Sequence, residues 1–377
     1  MDSNQKSYVS SCAELSCVRR RDPLNKSRRP DLDVLRVIAI FFVIFNHSPG
    51  FFFPEQETPF LSYWFSLFFM VATKSAVPFF FIITGALLLN KEESLSTIFT
   101  KRLLRYVVVI VLYLLVQLCW LMFRDGISVA TICSDLTGLF KRIYYGGGCF
   151  TSNQGYWFLW VYVEILLFLP VLRSLARSMP DRIYIYLFVL QFVLCLFFKD
   201  SVLYSYSPFR GSPHNLGFGY AIYYVLLGYF LEHRLPAFAS KYRHFTRSMF
   251  VILVMALIVA VLGMEITRIV RNDNLVKVTY SFYTGVLPII CSCSYGVLRC
   301  FFSRWRSPAW VNRIISSMGG AVFFVFLTEN IYREILQYVI PAEGKFYLSI
   351  FIALLTLITG LAVGICLRQF AIVRRWI

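Results

Sequence analysis

Arg36 and His47 are the first residues whose types and spacing suit chemistry. Eleven residues make three turns of an α-helix to within about 20°, so a helix would project both side chains from one face, about 16 Å apart along its axis. Arginine binds phosphate oxygens, and an imidazole titrates near neutral pH and can act as a base or accept an acyl group. His47 is the one histidine of four within an apolar run, where ionisable groups usually mark function. A hydrogen-bonded packing histidine is the alternative.

Further ionisable residues lie in or beside later apolar runs. Arg102 and Arg105 are three residues apart at the start of one run, and their guanidinium groups could donate paired hydrogen bonds to phosphate oxygens. Basic residues in such places, however, usually set membrane topology. Glu164 lies at a depth close to that of the histidine and could orient its imidazole, or serve only in helix packing. Glu329 and Arg333 stand four apart on one helical face and could simply neutralise one another.

The composition indicates that a lipid bilayer surrounds the elements that position these residues. The hydrophobic share is 58%, the charged share is 15% and the mean hydropathy is +0.66. A net charge of +17 would suggest a nucleic-acid partner in a soluble protein, but here the basic residues form short clusters between apolar runs. We therefore expect no nucleic acid. The ten cysteines show no metal-ligand spacing, so we expect no metal either.

Apolar runs of about 20 residues, the length that crosses a bilayer core of about 30 Å, recur along the chain. They predict an all-α integral membrane protein with about ten transmembrane helices. The second run is overlong and contains Lys74 and Pro78, which predicts a tilted or kinked helix, or a short outer helix followed by a full span. The ten runs cover 33–53, 61–90, 104–124, 157–173, 183–198, 217–232, 248–264, 279–299, 314–340 and 346–367.

The distribution of basic residues predicts that both termini are cytosolic. With the N-terminus inside, 26 of the 37 Lys and Arg residues fall in segments on that side and 9 on the other, as the positive-inside rule requires. Residues 1–30 are polar and basic and lack the features of a signal peptide, so we expect a disordered cytosolic tail. Residues 31–377 would form a single membrane domain. These features fit a bacterial inner membrane.

Several segments, in a fixed order, resemble the membrane-bound acyltransferase family 3. Arg36 and His47 match the Arg-x10-His signature that opens this family. Residues 77–85 match its "vPlFFxxSG" segment, with Thr84 for the usual serine, and residues 101–105 match its RxxR pattern. Trp157-Phe158-Leu159 with Pro170 match its "WFL…P" span. The resemblance extends from residue 29 to about 335.

The resemblance implies a ten-helix enzyme that moves an acyl group, commonly acetyl, from acyl-CoA to a hydroxyl or amine of a sugar, polysaccharide, peptidoglycan or lipid. Acyl-CoA is then the co-substrate, with its phosphates on Arg36, Arg102 and Arg105. The thioester would lie near His47, which acts as a base or carries the acyl group. The substrate cavity would involve Asp33, Thr84, Trp157, Thr328, Glu329 and Asn330.

Two departures from the family pattern leave other functions open. Thr328 replaces a histidine that many polysaccharide-modifying members carry before the Glu-Asn pair, and Tyr156 replaces another before the "WFL" motif. A divergent, non-catalytic member would tolerate both changes. A carrier or flippase for a lipid-linked sugar would also need many spans, intramembrane charge and a cavity. A polysaccharide polymerase ranks third, because the long loop at 125–156 is poor in arginine.

Overall fold

The apolar runs form helices, because a chain in lipid must satisfy its backbone hydrogen bonds internally. The computed structural model describes residues 29–48, 60–126, 128–134, 157–197, 218–235, 245–271, 275–304, 307–340, 346–370 and 373, and these contain helices and no strands. Two π-helical segments, Ile98–Leu103 and Phe230–Arg234, precede α5 and extend α9. The α-helices are α1 Pro30–Asn46, α2 Phe60–Thr73, α3 Ala76–Leu88, α4 Leu95–Thr97, α5 Leu104–Asp125, α6 Val129–Ser134, α7 Trp157–Ser178, α8 Asp181–Phe197, α9 Phe218–Tyr229, α10 Phe245–Arg271, α11 Leu275–Arg304, α12 Ala309–Val339 and α13 Phe346–Leu367.

The predicted all-α membrane architecture is confirmed, whereas the count of ten spans stays a prediction. In the part of the chain that the structure describes, six helices are long and apolar enough to cross a bilayer. Each of the ten predicted runs nevertheless contains a helix. The six are Phe60–Leu88, Leu95–Arg124, Phe158–Ser178, Thr246–Ile266, Ala309–Val339 and Phe346–Leu367.

The helix of the first predicted span ends earlier than the apolar run of residues 33–53. Helix α1 ends at Asn46, so His47 lies directly after its last turn and not in the middle of a longer helix. Its backbone N–H still reaches the carbonyls of Val43 and Ile44, each at 3.1 Å. The sequence Ser48-Pro49-Gly50 follows, and proline disfavours the helical conformation in the residue before it. The earlier end of α1 therefore has a local cause.

The long second run is kinked, as predicted. A turn at Lys74 and Ser75 separates α2 from α3. Pro78 falls in the first turn of α3, where its missing N–H removes no helical hydrogen bond. The ammonium of Lys74 donates to Oδ1 of Asn46 at 2.7 Å, which ties the kink to the end of α1. This intramembrane lysine therefore has a hydrogen-bonding role in the fold.

Helix α1 is surrounded by other helices. It contacts α2, α3, α11, α12 and α13. Leu35, Ala39, Ile40 and Ile44 are at most 1% exposed. The helix that carries the Arg36 and His47 pair is therefore the centre of the bundle.

Helix α10 shows how the outer helices meet lipid. Val251, Met255, Ile258 and Leu262 repeat at helical spacing and are exposed. The opposite face, with Ala256, Ala260 and Met264, is buried. An exposed apolar stripe of this kind suits contact with acyl chains.

Helices α3 and α9 cross at reciprocal glycines. A Cβ on Gly85 would lie 1.8 Å from the carbonyl oxygen of Val225, and a Cβ on Gly228 would lie 2.0 Å from that of Ile82. Small residues let helix backbones approach this closely in membranes. The glycine of the "VPFFFIITG" segment therefore sets the distance between α3 and α9.

Several segments predicted to be cytosolic meet at one end of the bundle. Arg29 pairs with Asp31 and with Glu232, and Arg299 lies 3.3 Å from Asp31 and 3.4 Å from Glu232. Tyr295 donates to Glu232 at 2.6 Å. This buried network joins the start of α1, the end of α9 and α11. The predicted tail of residues 1–30 lies outside the described residues up to position 28.

Candidate functional site

A cavity of about 660 Å³ lies among α3, α5, α7 and α12. One end is basic, and the remaining walls are mostly apolar and aromatic, with Phe80, Phe158 and Phe326 among them. Its size falls within the range of small-molecule sites. The basic end carries Arg36, Lys91, Lys101, Arg102 and Arg105.

The three arginines predicted to bind phosphate therefore line one cavity. Arg36 comes from α1, Arg102 from the π-helical segment and Arg105 from the first turn of α5. A π-helical turn changes the helical register and often occurs at functional sites. The guanidinium of Arg36 donates to Asp33, and that of Arg102 donates through Nε to Glu93 at 2.9 Å. The described part of this wall thus holds several cations and a single carboxylate, that of Glu93.

Asp33 lies between α1 and α12 and not on the cavity wall. Its carboxyl group is 2% exposed and accepts from Arg36. A Cβ on Gly319 would lie 2.5 Å from Cβ, Cγ and Oδ1 of Asp33. Asp33 therefore positions Arg36 next to Gly319, where α12 packs closely against α1.

His47 is held by Glu329. Its Nδ1 lies 2.8 Å from Oε1 of Glu329, and Nε of Arg333 lies 3.4 Å from the other carboxylate oxygen. The carboxylate is 6% exposed, whereas the imidazole is 24% exposed. Glu329 therefore neutralises Arg333, as its spacing in the sequence suggested, and it also binds the histidine, a contact that the sequence did not indicate. A carboxylate on Nδ1 leaves Nε2 as the nitrogen that can take up a proton.

The cavity leads toward this pair, although His47 does not line it. On α12 the cavity wall includes Gly319, Val322 and Phe326. Residues three and four positions apart share a helical face, so Glu329 continues the same stripe one turn, or about 5 Å, further along. The basic end of the cavity and the His47–Glu329 pair therefore lie at opposite ends of one helical face.

Asn330 belongs to a second polar cluster at the same depth. Its Nδ2 donates to Oε1 of Gln117 at 2.8 Å, and its Oδ1 accepts from the hydroxyl of Tyr113 at 2.9 Å and from Nε2 of Gln117 at 3.0 Å. All three side chains are buried. This cluster joins α5 to α12 one turn beyond Val109, the last residue of α5 on the cavity wall.

Sequence reasoning missed Tyr113 and Gln117, although a signal was present. Tyr113, Gln117, Trp120 and Arg124 repeat every three or four residues along an otherwise apolar helix, which marks one polar face. Trp120 and Arg124 both donate to Glu334 of α12, each at 2.9 Å. The face therefore belongs to the contact between α5 and α12.

Among the described side chains assigned to the substrate cavity, Thr84 lines it, whereas Asp33, Thr328, Glu329 and Asn330 do not. Thr84 donates to the carbonyl of Phe80 at 2.8 Å. Thr328, which stands where the family often has histidine, donates back to the carbonyl of Phe324 at 2.9 Å. Trp157 begins α7, and its side chain lies outside what the structure describes. Asp33, Glu329 and Asn330 have the partners given above.

Glu164 does not orient the imidazole as expected; Glu329 has that position. Both carboxyl oxygens of Glu164 are buried, and neither has a hydrogen-bond partner among the residues that the structure describes. Its helix, α7, packs against α3, α5 and α9, whereas α12 packs along α1. A similar depth in the membrane thus did not bring Glu164 to the histidine.

The described residues include no group of three or more His, Cys, Asp or Glu side chains arranged to hold a metal ion. The candidate site thus consists of the basic end of the cavity, its apolar walls and the pair formed by His47 and Glu329.

Comparison with known proteins agrees with the motifs along the chain. The family model described as an acyltransferase domain, of acyltransferase family 3, matches residues 29–368. No curated protein and no solved structure matches the chain.

Proposed function

Since this chain belongs to acyltransferase family 3 and is a multi-pass membrane protein, we propose that it moves an acyl group, most simply acetyl, from cytosolic acyl-CoA to a hydroxyl of a carbohydrate or cell-envelope polysaccharide. The observation that carries the proposal is the shared face of α12: it lines a cavity with three arginines at one end, and one turn beyond Phe326 it presents Glu329, which binds His47. The acceptor class is the one that the family resemblance implies. The membrane proposed is a bacterial inner membrane.

The donor's phosphates bind at the basic end of the cavity. Arg36, Arg102 and Arg105 offer planar donors that fit phosphate oxygens in pairs. The apolar walls suit the uncharged arm that links the phosphates to the thioester. The thioester then approaches the level of Glu329.

His47 acts as the general base in this proposal. Nε2 takes the proton of the acceptor hydroxyl while the oxygen of that hydroxyl attacks the thioester carbonyl carbon. The C–S bond breaks, and the imidazolium returns the proton to the departing thiolate, so that an ester and free CoA result. Glu329, which accepts from Nδ1, stabilises the positive charge on the ring during the step.

The test is acyl transfer by purified protein with labelled acetyl-CoA, comparing wild type with His47→Gln. Glutamine keeps the size and the hydrogen bonding but takes up no proton at neutral pH, so we expect a rate loss of about 100-fold or more in a folded protein. His233→Gln is the matched control, because His233 is also hydrogen-bonded, to the carbonyl of Ala86 at 3.0 Å, but does not line the cavity. Full activity of His47→Gln would overturn the role of His47.

The same assay separates the alternatives. A carrier or a non-catalytic member would transfer no label in the wild-type protein. Label retained on the wild-type protein without acceptor, and lost in His47→Gln, would change the role of His47 from base to acyl carrier.

A further inference from the structure

Glu93 brings a negative charge into the basic end of the cavity. It lies in the link between α3 and α4, and the described part of the cavity wall contains no other carboxylate. Arg102 donates to both of its oxygens, through Nε at 2.9 Å to one and through Nη2 to the other. The guanidinium fork that would bind a phosphate thus already binds a carboxylate.

A second arginine binds the same carboxylate. Nη2 of Arg173, on α7, lies 2.8 Å from Oε2 of Glu93, and its Nε donates to the carbonyl of Leu88 at 3.0 Å. The side chain of Arg173 is 8% exposed. Arg173 is therefore fixed to the end of α3 and is not on the wall of the large cavity.

Glu93 is negatively charged near neutral pH. The hydrogen bond from Arg102, with a further one from Arg173, lowers the pKa of Glu93 to about 2. The charge that competes with a phosphate on the protein side therefore does not change with pH near neutrality.

We propose that Glu93 is an internal competitor for the donor's phosphate group: it binds Arg102 in the free protein and gives up that arginine when the donor enters. This inference rests on the proposed function. A carboxylate and a phosphate take the same paired geometry on a guanidinium, so they cannot share one fork. Arg173 keeps Glu93 paired after the exchange, which avoids leaving an uncompensated charge at the site.

The consequence is that Glu93 positions Arg102 and lowers the affinity for any anion at this end of the cavity. A donor with several phosphate groups gains contacts on Arg36 and Arg105 that offset the exchange. A small anion makes fewer contacts with Arg36 and Arg105, so it offsets less of the cost of the exchange. Glu93 thereby keeps the donor site available for a polyanionic ligand.

The experiment measures binding of CoA and of inorganic pyrophosphate to purified full-length protein by calorimetry at fixed ionic strength. We expect Glu93→Gln to bind both probes about threefold to tenfold more tightly, as removal of one partly exposed charge pair would allow. Loss of structure would weaken binding, so a gain cannot come from misfolding.

Glu92→Gln is the matched control. Glu92 is the neighbouring carboxylate, its side chain is 88% exposed, and its nearest ion pair is with Arg177 at 3.4 Å. Its substitution should leave both affinities unchanged. An equal gain in Glu92→Gln would mean that general surface charge, and not the Arg102 pair, sets the affinity, which would overturn the inference.

Unchanged or weaker binding by folded Glu93→Gln also overturns it. If this variant does not fold, Glu93→Ala removes the same carboxylate and carries the same expectation. Absence of binding in wild type and variant overturns the inference outright. Tighter binding by Glu93→Gln without any acyl transfer would refute the proposed reaction but support Glu93 as a competitor. Acyl transfer with unchanged affinity would refute only the role of Glu93 as a competitor.

Discussion

At the scale of single residues, Glu329 connects two helices through three charged or titratable groups. It binds His47 of α1 and Arg333 of its own helix. If Glu329 contacted only Arg333, the two residues would form a structural ion pair. The contact with Nδ1 of His47 makes it a positioning residue for the proposed base.

We expect Glu329→Gln to lower the saturated rate of transfer about 10- to 100-fold with little change in the KM for the donor. The amide oxygen can still accept from Nδ1, so the tautomer is kept, but the charge that stabilises the imidazolium is lost. Steady-state kinetics with labelled donor measure both constants. Glu334→Gln, five residues further along α12 and paired with Arg124, is the control and should keep the wild-type rate. Equal rates in all three proteins would make Glu329 structural.

At the scale of elements, the position of each functional side chain depends on close helix approach. Gly319 lets α12 come next to Asp33 on α1, and this contact precedes the stripe that ends at Glu329. Gly85 lets α3 meet α9 behind the cavity wall. Glycines at these crossings therefore determine the width of the site without taking part in its chemistry.

Gly85→Ala should lower the stability of the folded protein by about 1–3 kcal/mol or more, because a backbone carbonyl, and not a flexible side chain, occupies the space of the new methyl group. Thermal unfolding in detergent would measure the effect as a lower Tm. In Gly360→Ala the nearest atom is Cγ1 of Val325 at 3.2 Å, and that side chain can adjust. A fall in Tm for Gly360→Ala as large as for Gly85→Ala would contradict the assignment of the tight crossing.

At the scale of the whole molecule, the arrangement matters because the proposed donor binds at one end of the bundle. The basic end of the cavity belongs to segments predicted to be cytosolic, and the polar contacts between α5 and α12 lie toward the other end. A bundle that holds an acyl group between these ends would carry it part of the way across the bilayer.

Reporter fusions test the orientation on which this view depends. Because 26 basic residues fall on the side of the termini and 9 on the other, fusions at residues 140 and 377 should report opposite faces, with 377 in the cytosol. A fusion at residue 92, in the link between α3 and α4, serves as an internal control and should agree with 377. The same face for 140 and 377 would refute the ten-span model.

The sequence alone predicted the helical membrane class, an irregularity near Lys74 and Pro78, and the shared end of the bundle at which Arg36, Arg102 and Arg105 lie. These follow from hydropathy, from proline and from the charge at the start of each run, which are local properties. Only the tertiary structure decided which groups pair. Depth in the membrane can be estimated from position in a run, but the rotation of a helix and the identity of its neighbours cannot.

Glu164 and Glu329 illustrate the difference. The sequence placed Glu164 at the depth of His47, yet α12, and not α7, packs along α1, so Glu329 reaches the imidazole. Glu93 likewise binds Arg102 nine residues away only because the chain turns back between α3 and α5. Such pairings depend on the packing of the whole bundle, in which many helix arrangements would satisfy the same apolar pattern, and close contacts at a few glycines select among them.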